Sequence, residues 1–376
     1  MPVMPDWEAH NQQVRRLWQE YHDGTNGRVP VTLAFDEQFL LHHWGCTFER
    51  YYRDVPTQLD LQLRSQEWVR TSVLQDAEMG LPAAWTVCPP SWMDENEFLG
   101  AAIVAQENDY SWGQPLPLTK TELLRHLQSL DVETQIRRGT LHRQWEALKR
   151  LTDGREHCGR PVQVASPPVG STHGLFTKAA EIRGLEQLCL DLVEDAPFAH
   201  ELLAVVTDLA LQRLQCWHRL AGTGRTFPSD EGWGLCDDSL TLISRTHYEE
   251  FVLPYHERIY SALTRGPRHI HLCGHVQHLF ATLHHKLGIT TFDGPGTQVD
   301  IPRMVEEIGA PITIQAQISH GILGSSPPEI EAAVRYVLDD RAKRRARMTL
   351  LGYATRGAPL EHLRFFYECG LRHGEL

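Results

Sequence analysis

Short apolar runs recur along the chain, separated by longer stretches whose apolar positions follow helical spacing. The runs at 29–35, 83–88, 161–166, 225–229, 269–273, 289–293, 311–317 and 348–353 read as strands bounded by glycine, proline and polar residues. Helical periodicity covers 177–194, 197–220, 246–263, 276–287, 299–308 and 328–338, with Pro302 and Pro328 near helix starts, where proline is tolerated. Strands alternating with helices are the signature of βα units. Eight such strands predict an α/β fold, a (β/α)8 TIM barrel spanning 1–376 as one domain, with its active site at the carboxyl ends of the strands. The segment 94–159 breaks the rhythm and carries its own helical pattern at 119–151, so it is expected as an insertion after the second strand, over the barrel mouth.

A barrel places polar residues where strands finish, and several predicted strands end that way. The run Arg268-His269-Ile270-His271-Leu272-Cys273-Gly274-His275 is the most informative. Side chains two apart on a strand share a face, so extension through Cys273 would align His269, His271 and Cys273. An imidazole beside a thiol is half of a tetrahedral zinc site. Further candidates at strand ends are Cys88, Asp230, Trp233, Asp293, Gln315, Gln317 and Tyr353. We take His271, Cys273 and Asp293 as catalytic candidates, with His271 and Cys273 also as metal ligands. Cys88, Asp230, Trp233, Gln315 and Tyr353 are candidates for substrate binding.

Plainer readings stand beside these. A histidine on an apolar strand, as at His269, is more often a hydrogen-bonded core residue. Cysteine is among the most buried residue types, so Cys88 and Cys189 are core by default. Asp293-Gly294-Pro295-Gly296 is first a turn, and Asp237-Asp238 is first an N-cap pair. Trp44, Trp85, Trp92, Trp112 and Trp233 are mostly packing. Gly321 to Ser326 reads as a helix-start loop before it reads as an anion cradle.

Composition narrows the function class. Hydrophobic residues at 41% and charged residues at 22% are ordinary for a globular enzyme. A formal charge of −12 argues against nucleic acid or an anionic membrane as partner. No apolar run approaches the roughly 20 residues of a membrane helix, and Met1 to Asn11 has no signal-peptide core. Eight cysteines without paired spacing suit a reducing cytoplasm. Walker, Rossmann and G-x-S-x-G spacings are all absent.

Three segments resemble the uroporphyrinogen decarboxylase superfamily. They are Cys236-Asp237-Asp238-Ser239 through Ile243-Ser244-Arg245-Thr246-His247-Tyr248-Glu249-Glu250-Phe251-Val252-Leu253-Pro254-Tyr255, then His269 to Gly274, and Ile182-Arg183-Gly184-Leu185-Glu186 with Leu190-Asp191-Leu192. The resemblance implies a (β/α)8 barrel. It also implies either decarboxylation or the zinc-dependent methyl transfer that its methyltransferase branch performs between corrinoid proteins and thiols. The decarboxylase itself resembles this chain less. No arginine follows the first strand to grip carboxylates, and Val87-Cys88-Pro89-Pro90 stands where an aspartate is expected. His271 and Cys273 match the zinc-binding pair of the methyltransferase branch. The branch's third ligand, a cysteine after a glycine on the last strand, is replaced by Tyr353 after Gly352. Cys88, His275 and Asp293 are the candidates to replace it, with a metal-free site as the alternative.

The resemblance therefore implies a methyltransferase that moves a methyl group between a corrinoid protein or a methylated small molecule and a thiol-type acceptor, with Zn2+ at His271 and Cys273 and corrinoid reached only through a partner protein. The alternatives are a cofactor-free decarboxylase or lyase using His271 and Asp293 for proton transfer, and a non-catalytic binding barrel.

Overall fold

A computed structural model describes residues 6–91, 93–167, 171–318 and 321–376. Trp92, expected to pack, and the first five residues of the N-terminal segment lie outside the described residues. Twelve strands are described: β1 (Val31–Phe35), β2 (Trp85–Val87), β3 (Ile103–Val104), β4 (Trp112–Gly113), β5 (Glu156–His157), β6 (Arg160–Val164), β7 (Ser171–His173), β8 (Trp233–Cys236), β9 (Arg268–His271), β10 (Ile289–Asp293), β11 (Ile312–Gln317) and β12 (Ala346–Ala354). The chain divides into two compact units, and the boundary falls inside β10.

The first unit comprises 1–87, 151–163 and 292–376. Its β1 and β11 flank β12, all parallel, with Val31 opposite Leu350 and Gln315 opposite Thr349. Met348, Leu350, Leu351 and Gly352 are all buried, as a strand covered on both faces requires. The helix Leu360–His373 packs directly onto these strands. A Cβ at Gly352 would lie 2.6 Å from the Phe366 ring, and one at Gly370 would lie 2.7 Å from Val31. Beside them Asp76 is buried and accepts both guanidinium nitrogens of Arg28 (2.6 and 2.7 Å), the Val31 amide (2.7 Å) and the Tyr367 hydroxyl (2.9 Å). Such a charge is tolerable in the interior only with its partners in place. A separate small sheet in the order β2-β6-β5 includes the antiparallel β5–β6 hairpin.

The second unit comprises 88–150 and 164–291. Its β7, β8 and β9 are parallel, with His173 opposite Cys236 and Cys236 opposite His271. Helices Leu175–Arg183, Leu185–Glu194, Ala196–Leu220 and Leu253–Leu263 accompany them. The insertion predicted at 94–159 contains four helices (three of them at Lys120–Gln128, Val132–Arg138 and Thr140–Thr152) and the β3–β4 ribbon, and its last residues, with β5, belong to the first unit. Within this unit Glu95 is buried between Arg213 (3.0 Å) and His173 (2.8 Å). Burial alone would raise its carboxyl, but the Arg213 charge and the His173 hydrogen bond hold it well below the usual range.

Parallel strands alternating with helices make this an α/β fold, as the apolar pattern predicts. Two corrections concern strands. The run 225–229 is not a strand; it contains Pro228, which has no N–H for a ladder, and only Ser229 makes an isolated bridge to Thr264. The parallel strands in that part of the chain are β7 and β8, with three and four residues. The helix read at 177–194 is two helices, because Gly184 adopts φ +90° between them.

Asp36 yields a pH prediction. It caps the helix Glu37–Trp44 by accepting the Phe39 amide at 2.7 Å, and burial raises its carboxyl to about 6 against the opposing pull of that hydrogen bond. A folded-state value above the unfolded ~3.9 stabilises the protein at low pH, and that contribution is lost as pH rises from about 4 through 6. With partial exposure discounted, the effect is about 1–2 kcal/mol. Asp36→Asn, which keeps a capping side chain, should remove this component, read as a flatter denaturant midpoint between pH 4 and 7 than in the wild type.

Candidate functional site

The last residue of β8 is Cys236, and Asp237 and Asp238 follow it. Asp237 turns into the interior and is fully buried. Its carboxylate accepts the amides of Phe176 (3.2 Å) and Thr177 (2.8 Å), the Thr177 hydroxyl (2.7 Å) and His256 Nε2 (2.9 Å). The two amides belong to the first turn of the helix Leu175–Arg183, where a negative charge complements unpaired N–H groups. Gly174 is required beside it, since a Cβ there would lie 1.9 Å from the Asp237 carboxyl carbon. Asp237 is thus an anchor, more than the simple N-cap its sequence position predicts.

With Asp237 fixed, its neighbours face the end of β9. The Cys236 thiol lies 3.4 Å from an Asp238 carboxylate oxygen, and the other Asp238 oxygen accepts the Cys273 amide at 2.8 Å. His271 Nε2 lies 3.0 Å from Cys273 Sγ and 3.8 Å from Asp238. One donor atom each from Cys236, Asp238 and His271 falls within 4.8 Å of the others. β9 ends at His271, and Gly274 turns the chain with φ +85°, so Cys273 meets His271 from the turn. Burial, and after it the Asp238 charge, push the Cys236 thiol far up, so a nearby cation is what would hold it as thiolate.

Two thiols, an imidazole and a carboxylate are a donor set suited to zinc. Tetrahedral Zn2+ with bonds of ~2.0–2.3 Å separates its ligands by roughly 3.3–3.8 Å, and the Cys236–Asp238 and His271–Asp238 distances of 3.4 and 3.8 Å match it. Cys236, Asp238, His271 and Cys273 are the residues that could hold the ion. Two of them, Cys236 and Asp238, are not among the candidates that the spacing of the β9 motif picks out. The signal was the Cys-Asp-Asp run, whose strand is only four residues long.

The other candidates are placed as follows. His269 is half-buried at the start of β9 and packs over Gly232, and burial lowers its pKa. His275 and Cys88 are exposed. Because β8 begins at Trp233, Asp230 and Trp233 stand at its amino end, opposite the end that carries Cys236. Asp230 is exposed and paired with Arg265 (2.8 Å), and Trp233 is buried. Asp293, Gln315 and Tyr353 belong to the first unit. There Asp293 accepts a hydrogen bond from Gln317 Nε2 at 2.7 Å. Gln315 and Tyr353 are half-buried on β11 and β12.

Residues 99–370 match the family model described as uroporphyrinogen decarboxylase (URO-D). Among solved structures, a methyltransferase from Methanosarcina mazei is similar with a TM-score of 0.61 and 14% identity, covering 96% of this chain and 98% of that one. A B12-independent methionine synthase from Shewanella sp. W3-18-1, in complex with selenomethionine, gives a TM-score of 0.41 and 11% identity over 87% and 88% of the two chains. No curated protein matches. At 14% identity the first likeness is one of fold. Among the described residues, no helix is long and apolar enough to cross a membrane.

Replacing Asp237 with alanine strips four donors of their acceptor in a dry interior. The expected cost is about 3–5 kcal/mol, read as a lower denaturant midpoint. Asp237→Asn should cost less, because its amide oxygen still accepts from the helix start.

Proposed function

The chain belongs to the uroporphyrinogen decarboxylase family, and from that premise we propose that it is a methyltransferase whose acceptor thiol is activated at Cys236, His271 and Cys273. The observation that carries this reading is the convergence of Cys236, Asp238 and His271 donors within 4.8 Å, with the Cys273 thiol 3.0 Å from His271. A catalytic zinc site uses three protein ligands and keeps one position open. We assign the three to His271, Cys273 and Cys236, the last standing in for the cysteine that Tyr353 replaces. Asp238 holds the Cys273 backbone beside them. The M. mazei protein's description as a methyltransferase agrees with this reading.

Zinc, when bound, supplies positive charge that lowers the pKa of an acceptor thiol and keeps it as thiolate. His271 and the two cysteines fix the place where the acceptor sulfur sits. The acceptor thiol gives up its proton to solvent, and its sulfur forms a bond to the methyl carbon. The carbon–donor bond breaks as the new one forms, and its electron pair leaves with the donor. We take the donor to be a corrinoid carried on a partner protein or a methylated small molecule, and the setting to be the cytoplasm. We keep the reading of 1–376 as one catalytic domain with 94–159 as an insertion.

The purified protein should contain about one zinc at this site. Cys236→Ser and Cys273→Ser should each lose it, together with at least a hundredfold of thiol methylation assayed with a methylcorrinoid donor. Asp238→Asn should retain most of the zinc. Metal content and turnover unchanged in both cysteine variants would sink the proposal. Metal-free turnover with a bell-shaped pH profile would point to the lyase reading instead.

A further inference from the structure

The first unit holds a second cluster of metal-ligating side chains. The β5–β6 hairpin turns through Cys158 and Gly159, with His157 paired to Arg160. Both turn residues have positive φ, +49° and +69°. Two-residue turns of this type favour Asn-Gly, because most other side chains strain the left-handed conformation. Cys158 is the non-glycine residue with positive φ among the described residues, and it is exposed. It therefore bears a conformational cost without burying its side chain.

The neighbouring side chains account for a cysteine at this turn. His157 Nε2 lies 2.8 Å from a Glu67 carboxylate oxygen, and the Cys158 thiol hydrogen-bonds to the same side chain. Donor atoms of Glu67, His157 and Cys158 all lie within 4.8 Å of one another. The cluster is held from behind. Trp85 Nε1 donates to the His157 carbonyl at 2.8 Å, and its ring meets the imidazole edge-on at 5.3 Å. Glu67 projects from the helix Val55–Ser72, which Gln66 ties to β2 through the Thr86 carbonyl at 3.0 Å. A helix, a strand and a tight turn thus converge on one carboxylate, one imidazole and one thiol, and the fourth side is open to solvent.

We propose that Glu67, His157 and Cys158 form a second metal site, for a borderline-soft divalent cation such as Zn2+, with water or an exogenous ligand in the fourth position. One sulfur, one nitrogen and one oxygen donor match zinc in softness, and calcium or magnesium would call for oxygen ligands throughout. Opening the 2.8 Å His157–Glu67 contact by about half an ångström reaches tetrahedral ligand spacing. The bound ion would fasten the hairpin to the helix Val55–Ser72, and the cost of the left-handed cysteine is repaid only when metal is present. The site is independent of the one assigned to methyl transfer.

The test uses the full-length protein stripped with a chelator, with ZnCl2 as the probe. Metal per chain is counted after desalting, and thermal unfolding is followed with and without the ion. A Cys236→Ser/Cys273→Ser variant should still bind one zinc, and adding Cys158→Ser should abolish that binding. Glu67→Gln should weaken it at least tenfold. Introduced into the Cys236→Ser/Cys273→Ser variant, Cys158→Asn supplies a turn-compatible residue, so without metal it should unfold at a higher temperature than that double variant, while gaining nothing from zinc. Equal zinc content in the double and triple variants, with zinc-dependent stabilisation surviving when Cys158→Asn is added to the double variant, overturns the proposal. If the methyl-transfer site holds no zinc, the wild type binds a single ion that Cys158→Ser removes, so the two readings fail separately. Should the double variant not fold, loss of one zinc in the single Cys158→Ser variant decides the question.

Discussion

One buried carboxylate organises the second unit. Asp237 receives the first amides of the helix Leu175–Arg183 and the ring of His256, and it follows directly on the end of β8. Unpaired in a dry interior, that charge would be very costly, so the strand end, the helix start and the helix Leu253–Leu263 are held in one arrangement. Cys236 and Asp238 inherit their positions from it. Neither is supported by extensive packing of its own, being half-buried, yet their side-chain atoms come within 3.4 Å of each other. The site's geometry is therefore a by-product of a structural ion, and its precision comes from a residue that faces away from the chemistry.

The same division of labour appears at β9. Ile270 and Leu272 are buried and fix the strand in the sheet, while His271 and Cys273 face the other way and meet at 3.0 Å. Asp238 links the two strand ends by accepting the Cys273 amide. Donors from adjacent strands can thus be brought to bonding distance without a long loop, which favours precise placement.

How far these features were legible in the sequence depended on the length of each apolar run. β1, β9, β10, β11 and β12 announce themselves through alternating or continuous hydrophobic residues, and the helix Ala196–Leu220 through its period. The His-x-Cys pair was read from the rule that residues two apart on a strand share a face, and the two side chains do meet, but Cys273 lies beyond the end of β9 and reaches His271 from the turn. β7 and β8 were not readable. Ser-Thr-His has no apolar signal, and Trp-Gly-Leu-Cys is too short to stand out beside the longer Arg225-to-Ser229 run. Cys236 and Asp238 were missed with their strand, because placing them needed the register of Cys236 opposite His271, a long-range pairing that local pattern does not encode. Asp230 and Trp233 were misplaced for the same reason, by one strand assigned a few residues early.

The pairing of β1 with β12 has a consequence for how the chain acquires this structure. Val31 waits for Leu350, and Arg28 bridges to Glu375, so the first unit is stitched from segments far apart in the sequence. The residues of the second unit, including Cys236, Asp238, His271 and Cys273, have all been synthesised before β11 and β12 exist. Contacts of such sequence separation close slowly, leaving β1 without its neighbour while the ribosome works. In a living cell this is the interval in which chaperone capture, or pairing with the wrong strand, competes with completion of the fold.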